Sequence, residues 1–361
     1  MINIARVSTY PTDKLNKVGF HAFKLGGMDG CRTFFVSPNL KGEPLAPPAG
    51  DSIRVIPFFL KTYPLDKSYV HQIVFLIQRI SSILLFSTKT ILYLDRKKIS
   101  IIHIHSPMYA LIAFWGKIFG KKNYITFHGE DFNKIKNNRL YRIFSFLYDG
   151  VFVISPSMLN TMRAIHGKSK VFLVGNGIEF NFKNESRERK KQILFVGSFK
   201  KVKGHKMMID GFKIFLEKND YYKLIFAGDG PLLDEMKGYV GKLNLTNSVV
   251  FVGHKTTDEL IDLYNDSQIF ALNSFSEGFP KVLLEALACG CRVISTRVGS
   301  VPNILGENYP YFIEPHTPMG IAKVLNRIIA VDSDFFVNYE KIPKRYSWES
   351  INDFYRRKYF N

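Results

Sequence analysis

Cysteine is scarce in this chain: Cys31, Cys289 and Cys291 are its only thiols in 361 residues. An odd and small number cannot frame a disulfide-stapled domain, so a reduced, cytosolic compartment is the simplest expectation. Cys289-Gly290-Cys291 has no second pair to complete a four-ligand zinc module. Long apolar runs are also missing. The strongest, Ile73 to Phe86, is broken by Gln78, Arg79, Ser81 and Ser82. It falls short of the ~20 residues that span a bilayer and reads as an amphipathic helix, as does Leu84 to Leu94. Met1 to Val7 reads as a first strand rather than a signal peptide. Acidic residues are sparse on one side. Of the net charge of +19, residues 1–170 carry +15 and the remainder +4. A basic first half points to an anionic partner, whether a bilayer surface, a lipid-linked diphosphate or a nucleic acid, although solubility alone also accounts for charge.

What is present is apolar and alternating. Hydrophobic residues make up 46% of the chain, which is long enough for two domains. Strand-like runs over 2–7, 52–59, 101–105, 123–127 and 150–154 alternate with helical ones, including 142–148 and 157–165. A second series covers 192–196, 223–227, 248–252, 269–272 and 292–295. Alternation of this kind predicts an α/β protein with parallel sheets and ligands at the carboxyl ends of the strands. The polar stretch Asn181 to Lys191 is expected to be the linker. The expected boundaries are 1–178, 190–345, and a last amphipathic helix in 346–361.

One segment concentrates the chemistry: Ser276-Glu277-Gly278-Phe279-Pro280-Lys281-Val282-Leu283-Leu284-Glu285-Ala286-Leu287-Ala288-Cys289-Gly290. Pro280 suits a first helical turn and Gly290 a stop. The amides of Lys281, Val282 and Leu283 are then expected to point outward as an anion site. Glu285 sits among helix formers of the buried kind, where a carboxylate needs a hydrogen-bond partner. Lys281, four residues earlier, would give a pair in the weaker orientation, worth a few tenths of a kcal/mol. The alternative partner is a pair of ligand hydroxyls.

This segment resembles the acid-x7-acid signature of retaining glycosyltransferases of family 4. The resemblance implies the GT-B fold, two Rossmann-like domains facing a central cleft, with 1–178 binding the acceptor, 190–345 the nucleotide sugar, and the last helix in 346–361 crossing back to the first domain. It places Glu277 by the sugar hydroxyls and Glu285 on the ribose of a nucleotide sugar. Gly278, Phe279 and the helix start would line the donor. Thr296-Arg297-Val298-Gly299-Ser300-Val301-Pro302-Asn303 is similar to the Gly-Gly-x-Pro-Glu segment that follows in the family, with two substitutions.

Further segments extend the likeness. Gly197-Ser198-Phe199-Lys200-Lys201-Val202-Lys203-Gly204 is similar to the family's Gly-Arg-x4-Lys-Gly donor loop. Lys203 matches its lysine, but Ser198 stands at the arginine, leaving Lys200 or Lys201 to supply the missing charge. Gly228-Asp229-Gly230-Pro231 resembles the Gly-x-Gly-Pro turn. Phe251-Val252-Gly253-His254 resembles the segment flanking the base, with His254 either a base contact or a helix or loop cap. Asn176, in Gly175-Asn176-Gly177, is grouped with the donor residues. His128-Gly129-Glu130-Asp131 matches His-Gly-x-Asp, which implies that His128 lies next to the transferred sugar and Asp131 on the acceptor side. Gly19 would be the glycine beside the diphosphate and acceptor, with Gly26-Gly27 as an alternative.

Two features point elsewhere. His103 and His105 alternate on one strand but lack a third ligand, so packing or an acceptor contact is expected rather than a metal. Asp332-Ser333-Asp334 is expected to cap a helix. The implied reaction is sugar transfer from a UDP- or GDP-linked donor to a hydroxyl, with retention, metal-independent, and without a cofactor beyond the donor. The expected catalytic set is His128, Glu277 and Lys203. The expected acceptor is a glycan or a polyprenyl-diphosphate-linked glycan, handled at the inner face of a membrane during cell-surface polysaccharide or glycoconjugate synthesis. Alternatives are a nucleotide-sugar epimerase or hydrolase of the same fold and, on charge alone, a nucleic-acid binder. No compact motif interleaves aromatic and basic residues, so no nucleic acid is expected.

Overall fold

The computed structural model describes residues 2–8, 20–37, 46–47, 50–56, 69–128, 144–179, 181–331 and 339–360. The chain divides into two compact units, Met1–Gly175 with Ile351–Asn361, and Asn176–Ser350. Both sheets are parallel, as the strand and helix alternation predicts. The first unit has β1 (Ile2–Val7), β2 (Cys31–Ser37), β3 (Ser52–Val55), β4 (Ile101–Ile104), β5 (Lys122–Phe127), β6 (Gly150–Val153) and β7 (Val171–Leu173). Their order is β3-β2-β1-β4-β5-β6-β7. The second unit has β8 (Lys190–Val196), β9 (Lys223–Ala227), β10 (Val249–Gly253), β11 (Ser267–Leu272) and β12 (Arg292–Ser295), ordered β10-β9-β8-β11-β12. Strands such as Ile-Phe-Ala-Leu in β11 are apolar throughout because helices cover a parallel sheet on both faces.

The strand order reverses between β1 and β4 in the first unit, and between β8 and β11 in the second. In doubly wound sheets such a reversal, at the carboxyl ends of the strands, is where ligands bind. In the second unit that point lies between the loop after Val196 and the loop after Leu272. In the first it lies beside His105, which follows β4.

Several elements differ from expectation. β2 was not anticipated. The two amphipathic runs over 73–94 form one helix, Tyr69–Arg96. Ser87 and Thr88 stay inside it by donating to the carbonyls of Ile83 and Leu84, at 2.7 and 2.9 Å. Of the helix expected over 142–148, the described part holds a short 3-10 helix, Phe144–Leu147, and 142–143 lie outside the described residues. Segment 181–189 is no free linker but is knitted to the second unit. Arg189 donates to the carbonyls of Tyr264 (3.0 Å), Ser267 (2.8 Å) and Cys289 (2.5 Å). Asn265 bonds the backbone at Lys183 and Glu185.

The last helix, Trp348–Phe360, buries Ile351, Tyr355 and Tyr359. The last two lie against β1, β4 and β5 through Arg6, His103 and Thr126. In the second unit the entering and leaving segments run side by side: the Ile178 amide donates to Tyr346 at 2.9 Å. At Gly177 a Cβ would stand 2.4 Å from the Trp348 ring, so no larger residue fits. The expected cap Asp332-Ser333-Asp334 lies outside the described residues.

Candidate active site

Backbone contacts fix the donor-loop region of the second unit before any side chain does. After β8 the chain turns through Gly197-Ser198-Phe199, and Phe199 is buried. The Phe199 amide donates to Asp229 at 2.9 Å, joining this loop to the one after β9. A Cβ at Gly228 (φ +144°) would lie 2.1 Å from the Gly197 carbonyl oxygen. Gly-Asp-Gly is therefore required for two loops to touch backbone to backbone, a reason independent of any ligand. Gly204, in the left-handed region, passes equally close to Asn273, whose amide donates to the Gly204 carbonyl at 2.9 Å. The other side of Asn273 meets His316 Nε2 at 2.9 Å. The Phe275 amide donates to Val202 at 2.8 Å.

This pinning brings Lys203 to Glu277. The ammonium nitrogen stands 2.5 Å from Glu277 Oε1, with side chains 22% and 11% exposed. Ser274 donates to the same oxygen at 2.7 Å. The Thr296 hydroxyl holds the Ser274 carbonyl at 2.7 Å, and Ser300 holds that of Gly278 at 2.8 Å. The lysine suited to a diphosphate thus already faces a carboxylate. Three ammonium hydrogens allow it to bridge that acid and a ligand oxygen together.

The first unit carries four histidines near its switch point. His103 and His105 stack with ring centres 4.3 Å apart, and His105 and His128 stack at 6.0 Å. His21 stands edge-on to His128 at 5.1 Å. Burial, reinforced by Arg6 at His103 and by His103 at His105, holds both groups well below the usual imidazole range, so both are neutral. Arg6 is wholly buried, and its guanidinium lies 3.0 Å from His103 Nδ1 and 3.0 Å from the Tyr359 hydroxyl. Arginine only donates, so Nδ1 accepts and the His103 proton sits on Nε2. That proton goes to Thr126 Oγ1 at 2.8 Å. Thr126 is then left to donate to Tyr355 (2.9 Å), and Tyr355 to His21 Nε2 (3.1 Å). Among the described residues no three His, Cys, Asp or Glu side chains are arranged to hold a metal.

Comparison with known proteins decides the family. The profile for Glycosyl transferases group 1 matches residues 177–341, and that for Glycosyltransferase Family 4 matches 29–182. The chain belongs to the group 1 glycosyltransferases. It is 28% identical over 249 residues to N-acetyl-alpha-D-glucosaminyl L-malate synthase of Bacillus anthracis, covering 63% of this chain and 65% of that one. It is 25% identical over 273 residues to the phosphatidylinositol N-acetylglucosaminyltransferase gpi3 subunit of Schizosaccharomyces pombe, covering 71% and 60%. The match thus spans less than two thirds of either relative. The crystal structure of Anabaena HepE in complex with UDP superposes with a TM-score of 0.74 at 14% identity, covering 99% of each chain. The fold is GT-B.

In this group 1 glycosyltransferase the remaining expected residues fall as follows. Glu285 is half-buried and accepts from the Tyr264 hydroxyl at 3.0 Å. Sequence reasoning offered Lys281 or a ligand as its partner and missed Tyr264. Lys281 places its ammonium 5.6 Å from the Trp348 ring centre. A carboxylate accepts about four hydrogen bonds, so the tyrosine does not close Glu285 to a ligand. Pro280 is the N-cap rather than a first-turn residue. The Leu283 amide donates to the Pro280 carbonyl at 3.1 Å, which removes one of the three amides expected to face an anion.

Ser198 is half-buried, with Lys200 and Lys201 exposed beside it. Gly253 has φ +72° at the end of β10, and His254 is exposed. The cap of the next helix is Thr256, which forms a capping box with Glu259, so the cap reading of His254 is withdrawn. Asn176 is buried. Phe279 packs on Tyr346 at 5.3 Å. His128 belongs to the first unit, Glu277 and Lys203 to the second. Gly19 and Asp131 lie outside the described residues. Ser274, three residues before Glu277, could have been found from its spacing. His21 could not, since its approach to His128 and His105 is tertiary.

Proposed function

We propose that this chain transfers a sugar from a nucleoside diphosphate sugar to a hydroxyl of a glycan or lipid-linked acceptor, with retained anomeric configuration. The observation that carries the reading is the Lys203–Glu277 pair, held between the loops of β8 and β11 at the switch point of the second sheet. Lysine there neutralises the departing diphosphate, and the acid orients the sugar hydroxyls, so catalysis is positioning plus charge stabilisation. Glu285 takes the ribose, and His128 serves the transferred sugar from the first unit. Neutralisation by lysine calls for no divalent metal, and transfer is expected to persist in chelator. HepE was crystallised with UDP, and both curated relatives are named for N-acetylglucosamine. UDP-N-acetylglucosamine therefore heads the donors to try, with GDP sugars as the contrast. The expected setting is the cytoplasmic face of a membrane during polysaccharide or glycoconjugate synthesis.

A donor that binds only the folded chain raises the melting temperature, by ~2.7 kcal/mol of stability at a hundredfold excess over Kd. One nucleotide sugar is expected to do so, and Glu285→Gln to reduce the shift. Glu277→Gln should lower turnover by about a hundredfold or more, as loss of an electrostatic contact to the reacting sugar does. Product anomeric configuration read by proton NMR tests retention. Unchanged turnover in both variants would remove the assignment.

A further inference from the structure

The solvent side of the helix Tyr69–Arg96 is not uniformly polar, as an exposed helical face ordinarily is: four large aliphatic side chains share it with Gln78, Ser81, Thr88, Lys89, Asp95 and Arg96. Ile80, Leu84, Leu85 and Leu92 are 49%, 47%, 58% and 49% exposed. At ~100° per residue they share one arc of about 140°. Ser81 and Thr88 lie between them, and Thr88 turns its hydroxyl back to the Leu84 carbonyl. The opposite side, with Phe86, Thr90 and Leu94, is buried in the unit.

The helix Ala110–Ile118 runs alongside in the same direction. Phe86 packs on Tyr109 at 5.9 Å near one end, and Lys121 meets Asp95 at 3.0 Å near the other. This neighbour adds Ile118 and the following Phe119, 59% and 42% exposed.

Charge around this apolar face has one sign. Lys89, Arg96, Lys97, Lys98 and Lys122 are exposed, whereas Asp95 is the only acid in residues 69–128 and pairs with Lys121. None of the helices among the described residues is long and apolar enough to cross a membrane.

We propose that this face docks on an anionic bilayer. The aliphatic side chains enter the boundary between headgroups and acyl chains, and the surrounding cations meet lipid phosphates. Aliphatic side chains within a basic rim are the pattern of helices that lie in a membrane interface. A second copy of the chain would bring like charge against like, and a nucleic acid would give Leu84, Leu85 and Leu92 nothing to enter. The inference rests on the membrane setting proposed above and deepens it by locating the contacting face, which is distinct from the donor site.

Co-sedimentation of the full chain with vesicles tests it. The two compositions are phosphatidylcholine alone, and two parts phosphatidylcholine to one part phosphatidylglycerol. Binding is expected to the anionic vesicles only. It should fall by about tenfold or more in the Leu84→Glu/Leu85→Glu/Leu92→Glu variant and in Lys97→Glu/Lys98→Glu. Lys237→Glu, exposed on the second unit, should leave it unchanged. The leucine variant should keep the native melting temperature, since exposed substitutions seldom change stability by more than ~0.5 kcal/mol.

Equal binding by the leucine variant, no binding by the native chain, or a dimer that the leucine variant dissolves would each overturn the proposal. The assay needs neither donor nor acceptor. Its failure would leave a donor-induced melting shift untouched, and a missing shift would leave vesicle binding untouched.

Discussion

At the scale of single residues, the charged groups in the second unit are constrained by what surrounds them. His205 follows Gly204 and lies among Phe195, Phe199 and Phe226, stacked on Phe199 at 4.1 Å. Burial there, helped by the Lys203 charge, pushes its pKa down to about 4 from the ordinary 6.5. Between those values the unfolded chain binds the proton and the folded chain does not, so stability falls as pH drops from about 6.5 to 4. Below about 4 the loss from this group is complete. His166, pushed down to about 4 by its own burial, acts in the same direction. Melting temperatures measured from pH 7 to 4 should decline, and His205→Phe should make the decline shallower. An unchanged slope would mean that His205 titrates normally. Glu277 and Lys203 were singled out by their likeness to the family's motifs, and the structure brings the two side chains together. Tyr264, the hydroxyl on Glu285, was not singled out, because it arrives from a different helix, Thr257–Asp266.

Among the elements, those with a clean period could be read and those with mixed signals could not. β9 and β12 were predicted to the residue, because both are short apolar runs between turns. β2 was missed: Cys31-Arg32-Thr33 begins with polar residues directly after Gly26-Gly27 and Gly30, which read as loop. Its identity comes from pairing with β1. The last helix was expected, but its Tyr355 and Tyr359 gave no hint that they complete a hydrogen-bonded chain from Arg6 to His21. Tyr355→Phe keeps the shape and removes the hydroxyl between Thr126 and His21. The cost should be about 1 kcal/mol, the usual worth of such a bond. A purely packing role predicts no further change. The relay predicts a changed tautomer balance at His21, visible in the nitrogen shifts of labelled histidine, and unaltered shifts would refute it.

For the whole molecule, the decisive feature is that the first unit is made of two separate pieces of chain. Deleting residues 351–361 uncovers Arg6, His103 and Thr126, all wholly buried in the intact protein. Calorimetry of the shortened chain should show the first unit melting several degrees lower, while the transition of the second unit stays in place. A single unshifted transition would mean that the helix contributes nothing. The charge asymmetry belongs to this scale too: it pointed to an anionic partner without locating a surface, because apolar exposure is invisible in composition. The divided unit also sets an order of events on the ribosome. Domains ordinarily fold as units in the order of synthesis, amino-terminal first. Here the second unit, Asn176–Ser350, is fully synthesised while the first still lacks Tyr355 and Tyr359. Until codons 355–359 are translated, Arg6 lacks the Tyr359 hydroxyl that it meets in the folded unit, and the half that was begun first is completed after the second.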